Sequence, residues 1–302
     1  NSVSHSGRRR GSSSSSGRQV MKLSELLTRG SELLTSVGIE SAEVDAQLLA
    51  AHVLGISKGE LGAKLFLDPE ISQIQEIEEL FRKRSERIPL QHLTGVAYFR
   101  NLSLAVGPGV FIPRPETEVV AELAIQALRA VPLEPIAVDL CTGSGAIAIS
   151  MATEVPHSKV YAWELNADSE PWLRKNIRGN VELVMGDISD DHQLFEELQG
   201  NVDVVVSNPP YIPNWAVPVD LEVQLHEPEL ALYGGEDGMD IMRSVSWRAL
   251  QLLKPGGFLV VEHADTQGQL VADLFQADGW KNISIHQDLT GRDRSVSATK
   301  AL

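Results

Sequence analysis

The sequence predicts an α/β fold: a parallel sheet covered by helices on both faces, preceded by a small helical domain. Three observations predict it. From residue 136 onward, short β-rich apolar runs alternate with helical patterns, the mark of βαβ units. Before residue 88, leucines recur at helical spacing. The segments richest in glycine, proline and acid fall at the carboxyl ends of the expected strands, where sheets of this kind bind ligands.

Residues 1–20 hold four arginines, a serine run and no acid, and are expected to be a tail or upstream extension outside the fold. Residues 21–88 form the expected helical domain. Leu23, Leu26, Leu27, Leu33 and Leu34 make one helical face. Ser41 is placed to cap a helix through Val44, Leu48, Leu49 and Val53 that Gly55 ends. Pro69 opens a third pattern through Ile74, Ile77 and Leu80 to Phe81, and Arg82–Arg84 reads as its solvated end. Residues 89–112 bring aromatics, β-branched residues and turn glycines, and predict a β-hairpin linker. Strands are then expected at 136–140, 159–164, 181–185, 202–207, 257–262 and 282–286. Helices are expected at 144–154, 167–178, 239–253 and 266–278.

The chain has 302 residues and a net charge of −15, which excludes a broad basic grip on nucleic acid. Residues 21–88 alone hold 8 basic and 12 acidic residues. One cysteine excludes a disulfide framework and a Cys-cluster metal site, so no metal is expected and the thiol suits a cytoplasmic protein. No run of 18 apolar residues suggests a membrane span.

The first sheet strand runs into Asp139, Leu140, Cys141, Thr142, Gly143, Ser144 and Gly145. The two glycines permit a tight turn and close approach of a ligand to the backbone. Glu164 ends the next strand, where a carboxylate can accept from both ribose hydroxyls, and Asp187 ends the third, within reach of an adenine amino group. Together they predict a nucleoside site. NAD and S-adenosylmethionine both fit; the ammonium of the latter favours Asp139 near the loop, directly or through water.

The fourth strand is followed by Asn208-Pro209-Pro210-Tyr211. Two prolines fix φ and remove two donors, freeing the carbonyls of Asn208 and Pro209 to face a ligand. Oδ1 of Asn208 and the Pro209 carbonyl suit the two hydrogens of a planar –NH2 group, with the Tyr211 ring beside it. A methyl sulfonium is reactive enough for positioning to supply much of the catalysis.

Asp139–Gly145, Glu164 and Asn208–Tyr211 together resemble the class I S-adenosylmethionine-dependent methyltransferases, in the branch that methylates planar nitrogens. Six further segments are similar to the HemK/PrmC-type release-factor glutamine methyltransferases: Pro89–Gly95, Phe111–Glu118 with its Pro-Arg-Pro-Glu-Thr-Glu, His226–Pro228, Gly234–Gly238, Glu262-His263 and Gly291–Arg294. The resemblance runs from Met21 to Leu302. It implies a Rossmann-like, seven-stranded methyltransferase domain at 113–302. It implies transfer of methyl from S-adenosylmethionine, leaving S-adenosylhomocysteine, to N5 of the glutamine in the Gly-Gly-Gln loop of peptide chain release factors. Residues 21–88 would then recognise the substrate protein, with no direct nucleic-acid contact. Cys141, Thr142, Gly143, Ser144 and Gly145 would hold the methionine part of the cofactor, Glu164 its ribose, Asp187 and Ile188 its adenine. Asn208, Pro209, Pro210 and Tyr211 would hold the substrate amide. The alternatives are an adenine-N6 nucleic-acid methyltransferase, a ribosomal-protein glutamine methyltransferase, a nicotinamide oxidoreductase and a non-catalytic module.

Other residues carry lesser expectations. Arg114 is expected to touch the substrate loop or pair with Glu116 or Glu118. His263 is expected to be hydrogen-bonded structure, and Cys141 a small buried side chain. Trp215 is expected to cover the cleft mouth or pack, and Gly291–Arg294 to form a turn with internal ion pairs.

Overall fold

The computed structural model describes residues 20–302, so the expectation for 1–20 lies, apart from Val20, outside the described residues. Contacts divide the chain into two compact units, the first ending at Glu86 and the second running Arg87–Leu302.

In the first unit a short antiparallel ribbon, β1 (Met21–Lys22) with β2 (Glu70–Ile71), joins four helices: α1 (Leu23–Ser36), α2 (Ala42–Leu54), α3 (Lys58–Leu67) and α4 (Ile74–Ser85). Leu23, Leu26, Leu27 and Leu34 are buried as their spacing requires, but Leu33 is exposed. Gly30 leaves room for the Phe81 ring, which a Cβ there would meet at 2.4 Å. Several local expectations need correction. Ser41 precedes α2 but makes no side-chain cap. Pro69 precedes β2, and the third pattern begins as a helix only at Ile74. The unexpected α3 is started by a capping box, Ser57 with Glu60, that its Ser-Lys-Gly-Glu spells out. Nor is Arg82–Arg84 wholly solvated: Arg84 is 4% exposed, and its Nε donates to Asp45 Oδ2 at 2.7 Å. A partner 39 residues away is invisible to a reading of local charge.

The second unit opens with α5 (Leu90–Thr94) and the hairpin β3 (Val96–Phe99) and β4 (Leu102–Ala105). Arg100, at the hairpin turn, fastens it to two helices of the second unit. Its Nε donates to Glu154 Oε1 at 2.6 Å and its Nη2 to Glu122 Oε2 at 2.7 Å. Then come α6 (Thr117–Arg129), β5 (Ile136–Leu140), α7 (Ala146–Glu154), β6 (Lys159–Glu164), α8 (Glu170–Asn176) and β7 (Val181–Met185). They are followed by α9 (Gln193–Leu198), β8 (Val202–Ser207), α10 (Leu221–His226), α11 (Glu229–Leu232), α12 (Asp240–Leu252), β9 (Leu253–Glu262), α13 (Gly268–Ala277), β10 (Lys281–Gln287) and β11 (Asp293–Thr299).

The seven-stranded sheet has the order β10-β11-β9-β8-β5-β6-β7. It is mixed rather than purely parallel: β11 runs antiparallel to both β9 and β10. The residues expected to form a turn at 291–294 in fact lead into β11, whose alternating small residues gave no apolar run to read. Arg294 pairs outside that segment, with Asp288 at 3.3 Å. Alternation along the strands splits the core in two. Val138, Leu140 and Val205 join Trp163, Val245 and Phe275 on one face. Ala137, Val204 and Val206 join Val120, Ile149 and Val260 on the other.

The chain runs outward from β5 to β7, then returns to lay β8 on the other side of β5. The crevice beyond the carboxyl ends of β5 and β8 is therefore the topological switch point, and the glycine loop and Asn208–Tyr211 both leave from it.

Candidate active site

The glycine loop turns sharply because Cys141 (φ +64°), Gly143 (φ +58°) and Gly145 (φ +84°) all have left-handed backbone. The two glycines serve different purposes. A Cβ on Gly143 would meet nothing within 4 Å, so that side of the loop is open to a ligand. A Cβ on Gly145 would strike Leu173 Cδ1 at 2.8 Å and Ile149 Cδ1 at 2.9 Å, so this glycine lets α7 and α8 close on the loop. Thr142 is anchored at both ends: its N–H donates to the Trp163 carbonyl at 2.9 Å and its hydroxyl to Asp139 Oδ2 at 2.6 Å. Ser144 is buried, and its carbonyl accepts from Asn176 Nδ2 at 3.0 Å.

Asp139 lies fully buried beneath this loop. Its Oδ2 also accepts from the Ala148 N–H at 3.1 Å, while Oδ1 is buried with no partner. Burial pushes its carboxyl up to about 7, against the pull of the Thr142 and Ala148 hydrogen bonds. Glu164 ends β6 and binds the loop directly, Oε2 accepting from the Gly143 N–H and Oε1 from the Asn166 N–H, each at 2.7 Å. Burial raises its pKa too. At the end of β7, Gly186 N donates to the Glu164 carbonyl at 2.8 Å, which brings Asp187 alongside. Asp187 is half-buried, and its Oδ1 accepts from the Ser189 N–H at 2.7 Å. Ile188 is packed into the core with Trp163 and Phe195. Sequence reasoning missed what holds this corner: Arg248 on α12 donates to the Ile188 carbonyl at 2.8 Å and the Asp190 carbonyl at 2.9 Å, and covers the Phe195 ring. Nothing in a helical pattern marks an arginine that caps a distant loop.

Asn208–Tyr211 is joined to the glycine loop through Ser207, whose hydroxyl donates to the Leu140 carbonyl at 2.6 Å. Pro209 and Pro210 are buried. The Gly234–Gly238 segment clasps the far side of this turn. A Cβ on Gly234 would lie 2.5 Å from the Pro210 carbonyl oxygen, and one on Gly238 would lie 2.4 Å from that of Tyr211. Gln267 Nε2 donates to the Tyr211 carbonyl at 2.9 Å. The Asn208 and Pro209 carbonyls accept no hydrogen bond among the described residues. Asn208 Nδ2 donates to Thr117 Oγ1 and Tyr211 Oη to Glu262 Oε1, each at 3.4 Å. Burial, then the Glu262 charge, raises the Tyr211 phenol, so it stays protonated.

Arg114 does not pair with Glu116 or Glu118; its Nη2 donates to Glu227 Oε1 at 2.9 Å, and the guanidinium lies over Phe111. His263 is buried, with Nδ1 bonded to the Ala264 carbonyl at 2.7 Å. Cys141 is half-buried rather than fully buried as expected, and desolvation within the loop pushes its thiol pKa up. Trp215 is 77% exposed.

A nucleoside cofactor with an ammonium group fits what is present: an unpartnered buried oxygen on Asp139, an open face over Gly143, and acids at the ends of β6 and β7. The switch-point site on a sheet whose reversed strand β11 lies between β10 and β9 defines a class I methyltransferase fold. The hMettl16 catalytic domain shares this fold alone, with a TM-score of 0.50 at 12% identity, over 66% of this chain and 75% of that one. Sequence comparison is more particular. The PrmC N-terminal domain family matches residues 25–95, and the methyltransferase small domain family residues 101–225. The chain is 48% identical over 281 residues to the release factor glutamine methyltransferase of Streptomyces coelicolor, covering 91% of this chain and 97% of that one. It is 39% identical over 286 residues to that of Mycobacterium tuberculosis strain H37Rv, covering 93% and 92%. The chain belongs to the release factor glutamine methyltransferase family.

Proposed function

We propose that this enzyme methylates N5 of the glutamine in the Gly-Gly-Gln loop of peptide chain release factors, using S-adenosylmethionine, in the cytoplasm where translation terminates. The carrying observation is the pair of free carbonyls and the rigid amide at Asn208-Pro209, set at the switch point beside the glycine loop.

In this reading Asp139, Cys141, Thr142, Gly143, Ser144 and Gly145 hold the methionine part of the cofactor. Asp139 meets the ammonium with the oxygen that now lacks a partner. Glu164 holds the ribose, and Asp187 with Ile188 the adenine. When bound, the cofactor supplies an electrophilic methyl group on a cationic sulfur. The chain does the rest by positioning. Asn208 Oδ1 and the Pro209 carbonyl accept the two hydrogens of the glutamine –NH2. This fixes the nitrogen's plane and draws electron density onto it. Pro210 and the Gly234–Gly238 clasp hold that pair of acceptors rigid, and Tyr211 walls the pocket. No strong base is needed, because the nitrogen sheds its proton to solvent after transfer.

The test is peptide mass spectrometry of a purified release factor incubated with the enzyme and S-adenosylmethionine. The expected result is one methyl on the loop glutamine and none on a release factor carrying Gln→Asn there. An unmodified glutamine, with the cofactor shown to bind, would overturn the substrate assignment.

A further inference from the structure

The Asn208 amide can sit either way round, and only one way offers Oδ1 to a substrate –NH2. Its neighbours choose. Nδ2 donates to Oγ1 of Thr117, the first residue of α6 and 4% exposed. Thr117 stands in turn near Glu262, the last residue of β9 and 1% exposed, close enough to pull its carboxyl pKa down, although no hydrogen bond is formed between them among the described residues. The same carboxyl accepts from Tyr211 Oη through Oε1, and its Oε2 is buried without a hydrogen-bond partner. Burial raises the Glu262 carboxyl to about 7, Arg294 pulls it down and Glu116 adds to the rise, so at pH 8 it is mostly ionised. One buried acid thus sits behind both polar side chains of the Asn-Pro-Pro-Tyr turn.

An ionised carboxylate can only accept. A hydroxyl between it and Asn208 turns its proton toward the carboxylate and leaves lone pairs toward Nδ2. Asn208 is then held with –NH2 inward and Oδ1 outward. Thr117 lies in the Pro-Arg-Pro-Glu-Thr-Glu segment, which the proposed reaction leaves without a role. We propose that Thr117 and Glu262 are positioning residues for methyl transfer: Glu262 fixes Tyr211 directly and Asn208 through Thr117, setting which face of the Asn208 amide meets the substrate. The proposal rests on the function proposed above.

Isosteric substitutions test it. Thr117→Val keeps the shape and loses the hydroxyl. Glu262→Gln keeps the shape but turns a donor toward Thr117, which reverses the hydroxyl and with it the Asn208 amide. Assayed at pH 8 on a purified release factor, each is expected to lower kcat by roughly 10–100-fold. KM for both substrates should stay within about twofold, and Thr117→Ser should restore kcat to within about threefold. A second measurement needs no substrate: hydrogen exchange of the Asn208 side-chain amide by 15N NMR, assigned by its loss in Asn208→Ala. Exchange should speed up about tenfold or more in Thr117→Val. A Thr117→Val kcat within twofold of the native enzyme, or unchanged exchange, would overturn the proposal. If the native enzyme leaves the release factor unmethylated, the proposed function fails, and the exchange rates still decide the positioning role.

Discussion

Asp139→Asn should make the protein more stable and the enzyme worse. The Asp139 carboxyl has a pKa of about 7 in the folded chain against a reference of 3.8. The folded state therefore binds this proton more tightly than the unfolded one. Stability from this group is fullest below pH 3.8 and is lost as pH rises through the window from 3.8 to about 7. A shift of roughly 3 units corresponds to about 4 kcal/mol as an upper bound at pH 8. Asparagine removes that penalty. It weakens the bonds from Thr142 and Ala148, which offsets about 1–2 kcal/mol. The net gain is about 2 kcal/mol, or about 4–8 °C in Tm for a unit of this size. Glu164, Glu227 and Glu262 are also raised, but they are present in both proteins and cancel in the difference. Thermal melts without cofactor, from pH 4 to pH 8.5, should show the variant ahead at pH 8 and the gap closing toward pH 4. With S-adenosylmethionine the order should reverse, because the variant has no charge for the ammonium. A variant that melts below the native protein by the same margin at every pH would refute the reasoning.

Four further outcomes follow from the geometry. Asn208→Ala should abolish transfer while calorimetry finds cofactor affinity within about threefold of native; loss of both together would remove its role as substrate acceptor. Gly143→Ala should weaken cofactor binding by tenfold or more with a Tm loss of a few degrees, since its Cβ enters open space. Gly145→Ala should instead lower Tm by several degrees more, because its Cβ meets Leu173 and Ile149. Asp45→Ala should destabilise the first unit by about 3–5 kcal/mol in denaturant melts, because it removes the buried carboxylate that balances the Arg84 charge. A paired Asp45→Leu, Arg84→Met change should recover most of it.

Where residues announce their own surroundings, the sequence was enough. The strands 136–140, 159–164, 181–185 and 202–207 have the predicted bounds, because each is a short, mostly apolar run whose ends are marked by turn residues. Glycine and proline likewise mark where backbone must turn or lose a donor, so the loop at 143–145 and the turn at 208–211 stood out. β11 and α6 did not. Asp293–Thr299 is mostly polar and is buried only because β9 and β10 flank it. The Pro-Arg-Pro that precedes α6 drew the reading toward a linker.

Composition, periodicity and spacing by themselves determined that a glycine loop and an Asn-Pro-Pro-Tyr turn stand at the ends of neighbouring strands. Each needs only a few consecutive residues and the rule that parallel strands bind ligands at their carboxyl ends. The tertiary structure alone decided how those pieces are held. Thr117 of α6 meets Asn208 and Glu262 of β9 meets Tyr211, Arg84 finds Asp45 across two helices, and Arg248 reaches the loop after β7. A buried polar group must find its partner wherever the chain brings one, and sequence distance carries no record of that choice.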